Sequence, residues 1–331
     1  MKRLASIALV LGLGLGLGQT LALVLLSGLA WPLSGQAQSQ TAAKTPGGSY
    51  IVNFPSDKNI ADLILVPPPK GGRKSKERIY LKTSGPVAIP KSALIKIELQ
   101  FDGPANIGAF DQLDADQVYR FSAAKLDFND SQMAHLKRFK KITSINLDST
   151  IITDKSLPIL GSWPDLTICR LSNTDITGGA FDSLAKCQRL RSLSIEGITL
   201  KAGTLSKLTP LSTCLTSLNA SHLGLTPQDV PAIAKLGKLT HLDVEGNKLF
   251  DNKCLKMLLP LTNLTGINLS DTSVTEQCLE DLYKFPQLKA VTVRSSIFWK
   301  DGKMRPLKNG IKCSDRADGS RMPMEMFSPL H

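Results

Sequence analysis

The sequence predicts an α/β solenoid, with a parallel sheet on its concave face, short helices on its convex face and a small β-rich cap at its N-terminal end. Three observations predict it. First, an apolar residue returns at Leu94, Val118, Ile142, Leu166, Leu190, Leu215, Leu239, Leu264 and Leu288, at spacings of 24 or 25 residues. Such regularity belongs to stacked units, none of which can bury its own apolar face alone. Second, each unit opens on alternation. With the recurring residue as step 1, steps 4 and 6 are Ile145 and Leu147, Cys169 and Leu171, Leu193 and Ile195, Leu218 and Ala220, Leu242 and Val244, Ile267 and Leu269, Val291 and Val293. That is a strand with its even steps inward. Third, after step 11 (Ile152, Ile176, Leu200, Leu225, Leu249, Val274) the period lengthens. Leu157, Leu160 and Trp163, or Val230, Ile233 and Leu236, mark one face of a short helix.

The segments follow in order. Residues 1–37 carry Met1-Lys2-Arg3, an apolar run from Leu4 to Trp31, and small residues at Gly35 and Ala37. That is the order of a secretory signal peptide cleaved after Ala37. The run exceeds the usual apolar core, so an uncleaved membrane anchor through residues 4–31 stays open. With no cysteine nearby, a lipidated N-terminus is not expected. Residues 38–49 read as a polar linker. Residues 50–93 leave the repeat. Short strands are expected at Tyr50 to Phe54, Leu63 to Val66, Ile79 to Leu81 and Val87 to Ile89, as a cap on the first unit.

The repeat runs over residues 94–296. Its first unit has Leu94, Ile97 and Leu99 in strand spacing but an irregular return through Gly103-Pro104. Step 12 is Asn129, Thr153, Thr177, Thr226 and Thr275 in five units, side chains that cap helix N-termini. Pro227 suits a first helical position. Lys201 and Phe250 break the column, and Asp251 can serve one step late. Step 9 is Thr150, Thr174 and Thr272 but Ile198, Leu223 and Asn247 elsewhere, so a non-uniform turn is expected after the strand. The repeat stops after Ser296. Residues 297–331 read as a C-terminal cap and tail, with Ile297, Phe298 and Trp299 over the last unit and no period across 314–331.

The segments Ile142 to Leu157 and Leu264 to Leu279 follow the unit L-x-x-L-x-L-x-x-T-x-I-T-D-x-x-L. This resembles bacterial leucine-rich-repeat proteins of the ribonuclease-inhibitor and F-box type. The resemblance covers roughly 200 of the 331 residues and implies a binding scaffold without naming a ligand.

Catalytic signatures are missing: no Gly-x-Ser-x-Gly, no His-Glu-x-x-His and no phosphate-binding glycine loop. No cofactor is expected. The histidines are read as surface residues. His222 and His241 fall about 17 Å apart along the sheet and cannot share a metal. Of six cysteines, Cys169 and Cys187 fall on core steps. Cys254 and Cys278 lie on helices too far apart for most disulfides. Only Cys187 with Cys214, at the ends of adjacent helices, stays open as a pair. No C-x-x-C spacing points to zinc.

The net charge is +12, or +10 without residues 1–37. Cations gather at Lys70, Arg73, Lys74, Lys76 and Arg78, at Lys137 to Lys141, and from Lys300 to Arg321. The basic loop has no interleaved aromatics, which argues against nucleic acid. The candidate binding surface is the outward strand face: Arg120, Asn146, Asp148, Arg170, Glu196, Asn219, His241, Asp243, Glu245, Asn268 and Arg294. It is polar, lacks an aromatic anchor, and its Asn and Ser rows serve equally to satisfy the turn. The sequence therefore points to an exported, non-enzymatic, monomeric protein that binds a protein partner in the bacterial envelope or outside the cell. The alternative is an envelope structural protein held to anionic lipid or wall polymer through its basic segments.

Overall fold

The computed structural model describes residues 48–68, 78–293, 299–300, 303–304 and 307–315. The predicted signal or anchor, the linker up to residue 47, the loop 69–77, residues 294–298 and the tail from 316 lie outside the described residues.

Nine parallel strands carry the repeat: β5 (Leu94–Leu99), β6 (Val118–Ser122), β7 (Ser144–Asn146), β8 (Ile168–Arg170), β9 (Ser192–Ser194), β10 (Ser217–Asn219), β11 (His241–Asp243), β12 (Gly266–Asn268) and β13 (Ala290–Val293). From β6 onward equivalent steps pair without slip; Ile145 sits beside Cys169, and Cys169 beside Leu193. Even-step side chains are buried in one continuous core that runs the length of the stack. Each chain return is short. Helices α1 (Asp130–Leu136), α2 (Leu157–Leu160), α3 (Val230–Ala234), α4 (Asn252–Met257) and α5 (Leu279–Leu282) alternate with tighter 3-10 turns such as Phe181–Lys186 and Thr204–Thr213. Returns this brief cannot hold themselves as helices; packing on neighbouring coils holds them.

Ahead of these, β1 (Ser49–Asn53) pairs antiparallel with β4 (Pro86–Pro90), while β2 (Ala61–Val66) and β3 (Ile79–Lys82) form a hairpin. The hairpin joins the solenoid sheet: β2 pairs antiparallel with β5, leaving β3 at the outer edge of a twelve-stranded sheet. The cap thus protects the first coil by extending its sheet.

The turn after each strand is more uniform than step 9 suggested. Step 8 is left-handed in seven successive coils: Lys125, Ser149, Asn173, Gly197, His222, Gly246 and Asp271, with φ between 54° and 72°. Most of these are Gly, Asn, Asp, Ser or His, the types that tolerate or favour that region. At step 9, Thr150, Thr174 and Thr272 each donate a hydroxyl to the step-6 carbonyl of their own coil, at 2.7–2.8 Å. Asn247 fills the same step differently. Its Oδ1 accepts the Leu223 and Leu225 N–H groups of the preceding coil, and its Nδ2 donates to the Ala220 and Val244 carbonyls.

Helix starts are held partly by capping and partly across coils. Asn129 makes a capping box with Gln132, Thr153 accepts the Lys155 N–H, and Asp251 accepts the Cys254 N–H at 3.0 Å. Thr177, Thr226 and Thr275 do not cap with their side chains. Thr177 and Thr226 donate instead, to Asp154 and Asp229, and Thr275 exchanges bonds with Asn252. In two coils an aspartate at step 13 bonds across to the next coil. Asp130 accepts the Thr153 N–H and hydroxyl and the Ser156 hydroxyl. Asp154 accepts from Thr177, Gly178 and Gly179 in the next coil. Desolvation raises the Asp130 carboxyl, but the Ser156 and Thr153 hydrogen bonds outweigh it and leave the pKa below the ordinary value.

Three sequence readings need correction. Leu94 is 44% exposed, and Ile95 is buried in its place. In the long strand β5 the alternation reaches back to step 1, and a bulge at Tyr119 of β6 absorbs the offset. Leu249 is also exposed, while Phe250 fills the core; the extra residue of that 25-residue unit lies between steps 9 and 11. Finally, the sheet continues past Ser296. After a hairpin of β14 (Trp299–Lys300) and β15 (Lys303–Met304), β16 (Lys312–Asp315) pairs parallel with β13, setting Cys313 beside Val291.

All six cysteines are free thiols, five of them buried. Cys187 and Cys214 are not joined. The Cys187 thiol donates to the Leu160 carbonyl, and the Cys214 thiol to the Leu211 carbonyl. Burial pushes Cys187 to about 11 and Cys278 to about 12, so neither offers thiolate at neutral pH. Maleimide labelling counted by mass is expected to give at most one adduct on the native protein, at half-buried Cys313, and six after unfolding. Four after unfolding without reductant would reveal a bond the fold does not show.

Candidate functional site: the concave sheet face

The strands β7 to β12 are three residues long, and in four of them the step-5 side chain turns the chain at the strand's end. Asn146, Asn219, Asp243 and Asn268 each accept, through a side-chain oxygen, the backbone N–H two residues on, at 3.0–3.1 Å. These Asx turns bend the chain into the left-handed step 8. The step-5 and step-7 side chains then bond across coils. Asp148 receives Arg170 through Nε at 2.7 Å and Nη2 at 2.6 Å, and also the Ser172 N–H. Ser172 and Ser194 share a hydroxyl bond. Glu196 accepts from Asn219, and both Asp243 and Glu245 accept from Asn268 Nδ2, each at 3.0 Å.

This ladder sorts the predicted residues. Arg120, Asn146, Asp148, Arg170, Glu196, Asn219 and His241 are partly open on the face. Asp243, Glu245 and Asn268 are 9%, 6% and 4% exposed; they brace the sheet more than they present charge. Arg294 lies outside the described residues, as do Lys70, Arg73, Lys74 and Lys76, while Arg78 is exposed just before β3. His241 lies across Gly266, where a Cβ would stand 3.1 Å from its ring. Burial lowers its pKa, so the ring is neutral at neutral pH. His222 approaches Glu245 at 3.9 Å from the rim.

Along the middle of the sheet the face leaves a groove of about 560 Å³, floored by Ile168 and by small polar side chains such as Ser192, Ser194 and Ser217. The sequence reading missed the near end. Because β2 and β3 join the sheet, Tyr80, Ile64 and Lys96 fall on the rung of Arg120, Ser144 and Ile168. An aromatic side chain therefore does stand on this face, with Tyr80 68% exposed. No local pattern announces it, since β2 and β5 pair across about thirty residues of chain. Among the described residues, no group of three or more His, Cys, Asp or Glu is placed to hold a metal ion, and no helix is long and apolar enough to cross a membrane.

A mostly parallel sheet, one short strand per coil, with brief helical returns behind it, defines the chain as an α/β leucine-rich-repeat solenoid. No protein-family model matches the chain, and no curated protein matches it. Among solved structures 212 chains match. One is a crystal structure of an internalin from Listeria monocytogenes, 22% identical, covering 60% of this chain and 54% of that one, with a TM-score of 0.46. The chain thus spans about half the length of that internalin.

Proposed function

We propose that this is an exported, non-enzymatic protein that binds a protein partner along its concave sheet. The observation that carries the reading is the groove, which crosses several coils and is lined by side chains from successive strands. A surface built from one residue per coil suits an extended or convex protein better than a compact small molecule, which takes a deep apolar pocket. Export rests on the order of charge, apolar run and small residues in 1–37. The repeat unit favours the ribonuclease-inhibitor and F-box branch of such solenoids, and a monomer suffices for the groove.

The test uses residues that line the groove without closing the ladder's buried rungs. Ile168→Arg with Glu196→Lys is expected to abolish recovery of the partner in crosslinking from envelope extract, while the thermal midpoint moves little. Unchanged recovery of every crosslinked protein would remove the groove from the reading.

A further inference from the structure

A second surface, apart from the groove, sits at the outer edge of the cap. β3 ends the twelve-stranded sheet, and among the described residues no strand pairs with its far side. Such an edge offers unpaired backbone groups as a template for another strand. Native edges are guarded by charge, proline, bulges or cover. Among the described residues, this one is guarded by its four-residue length and by Lys82. Apolar side chains are open on both of its faces. Tyr80 is 68% exposed on the concave side, and Ile79, whose neighbour Leu65 is 1% exposed, is 39% open on the core side. One added strand would cover both.

Charge selects the occupant. Along the edge itself, Arg78 and Lys82 flank Tyr80 on the concave side, with Asp62 of β2 opposite Lys82. Tyr and Arg together are the residues that dominate binding energy at protein interfaces. A second copy of the chain fits poorly: antiparallel pairing centred on Tyr80 sets Arg78 opposite Lys82 twice over, and like charges directly opposite destabilise a strand pair. A membrane surface fits poorly too, because it offers no row of backbone groups to pair with the open edge. We propose that β3 takes an extended polypeptide segment in which acidic and apolar residues alternate, bound by strand addition. The site stands whether or not the groove binds anything.

The probes are two labelled synthetic octapeptides, one alternating Glu with Val and one alternating Lys with Val, read by fluorescence anisotropy on the full-length protein. Vesicles of phosphatidylglycerol are run beside them. The Glu peptide is expected to bind at least about tenfold tighter than the Lys peptide. Backbone N-methylation at alternate residues of the Glu peptide should abolish binding, and so should Tyr80→Glu with Lys82→Glu, at exposed positions that leave the thermal midpoint in place. Equal binding of the two peptides, or survival of binding after N-methylation, would overturn strand addition. Binding that persists in the double variant would assign the effect to charge elsewhere, and vesicle binding without peptide binding would assign the surface to lipid.

Discussion

Asn247→Ala is expected to cost roughly 3–5 kcal/mol of stability. The side chain is 0% exposed and serves two coils at once. It accepts the N–H groups of Leu223 and Leu225 and donates to the carbonyls of Ala220 and Val244. Alanine leaves several of these backbone groups buried without partners, and each such group costs about 1–3 kcal/mol, partly relieved if water enters the vacated space. Urea unfolding followed by circular dichroism measures the loss. Hydrogen exchange should show the Leu223 and Leu225 amides opening first. Exposed Lys248 supplies the control: Lys248→Ala should change stability by less than about 0.5 kcal/mol. A loss under about 1 kcal/mol for Asn247→Ala would mean these four bonds are not what holds that turn.

Asp154→Ala should rank second, at about 2–3 kcal/mol. Its carboxylate accepts from the Thr177 N–H at 3.1 Å, the Thr177 hydroxyl at 2.5 Å, and the Gly178 and Gly179 N–H groups, both at 3.2 Å. Hydrogen bonds to a charged acceptor are stronger than neutral ones, but the site is only half-buried, which keeps the loss below the sum. The released segment holds two adjacent glycines, so limited proteolysis should cut near Gly178 in the variant well before the parent is cut. Equal cleavage rates would show that packing of Phe181 and Leu184 suffices to hold the loop.

Both effects concern contacts between coils, and they mark where the sequence is a good guide. The apolar steps 4 and 6 were legible because alternation is a local property and recurs in every unit. The left-handed step 8 was also written there, as a column of Lys, Ser, Asn, Gly, His, Gly and Asp, but the eye falls on the threonines beside it. β16 could not be read. It begins only 22 residues after the preceding unit at equivalent steps, and Asp315 stands where an apolar step 6 would be. For the concave face, composition showed polarity, and the rival idea that its Asn and Ser rows satisfy the turn describes Asn146, Asn219 and Asn268 well. Which carboxylates remain open could not be inferred, because Asn268 binds both Asp243 and Glu245 from a neighbouring coil.

The sequence by itself determined the register of the coils and most of their core, since each strand and its step-5 turn are specified within a few adjacent residues. Only the tertiary structure decided which polar groups face a partner and where the sheet ends. Those outcomes depend on pairings between residues about 24 or more positions apart, and on a hairpin from the cap adding to β5. Such pairings are set by which backbone edges and side chains meet in space, and no periodicity along the chain encodes that.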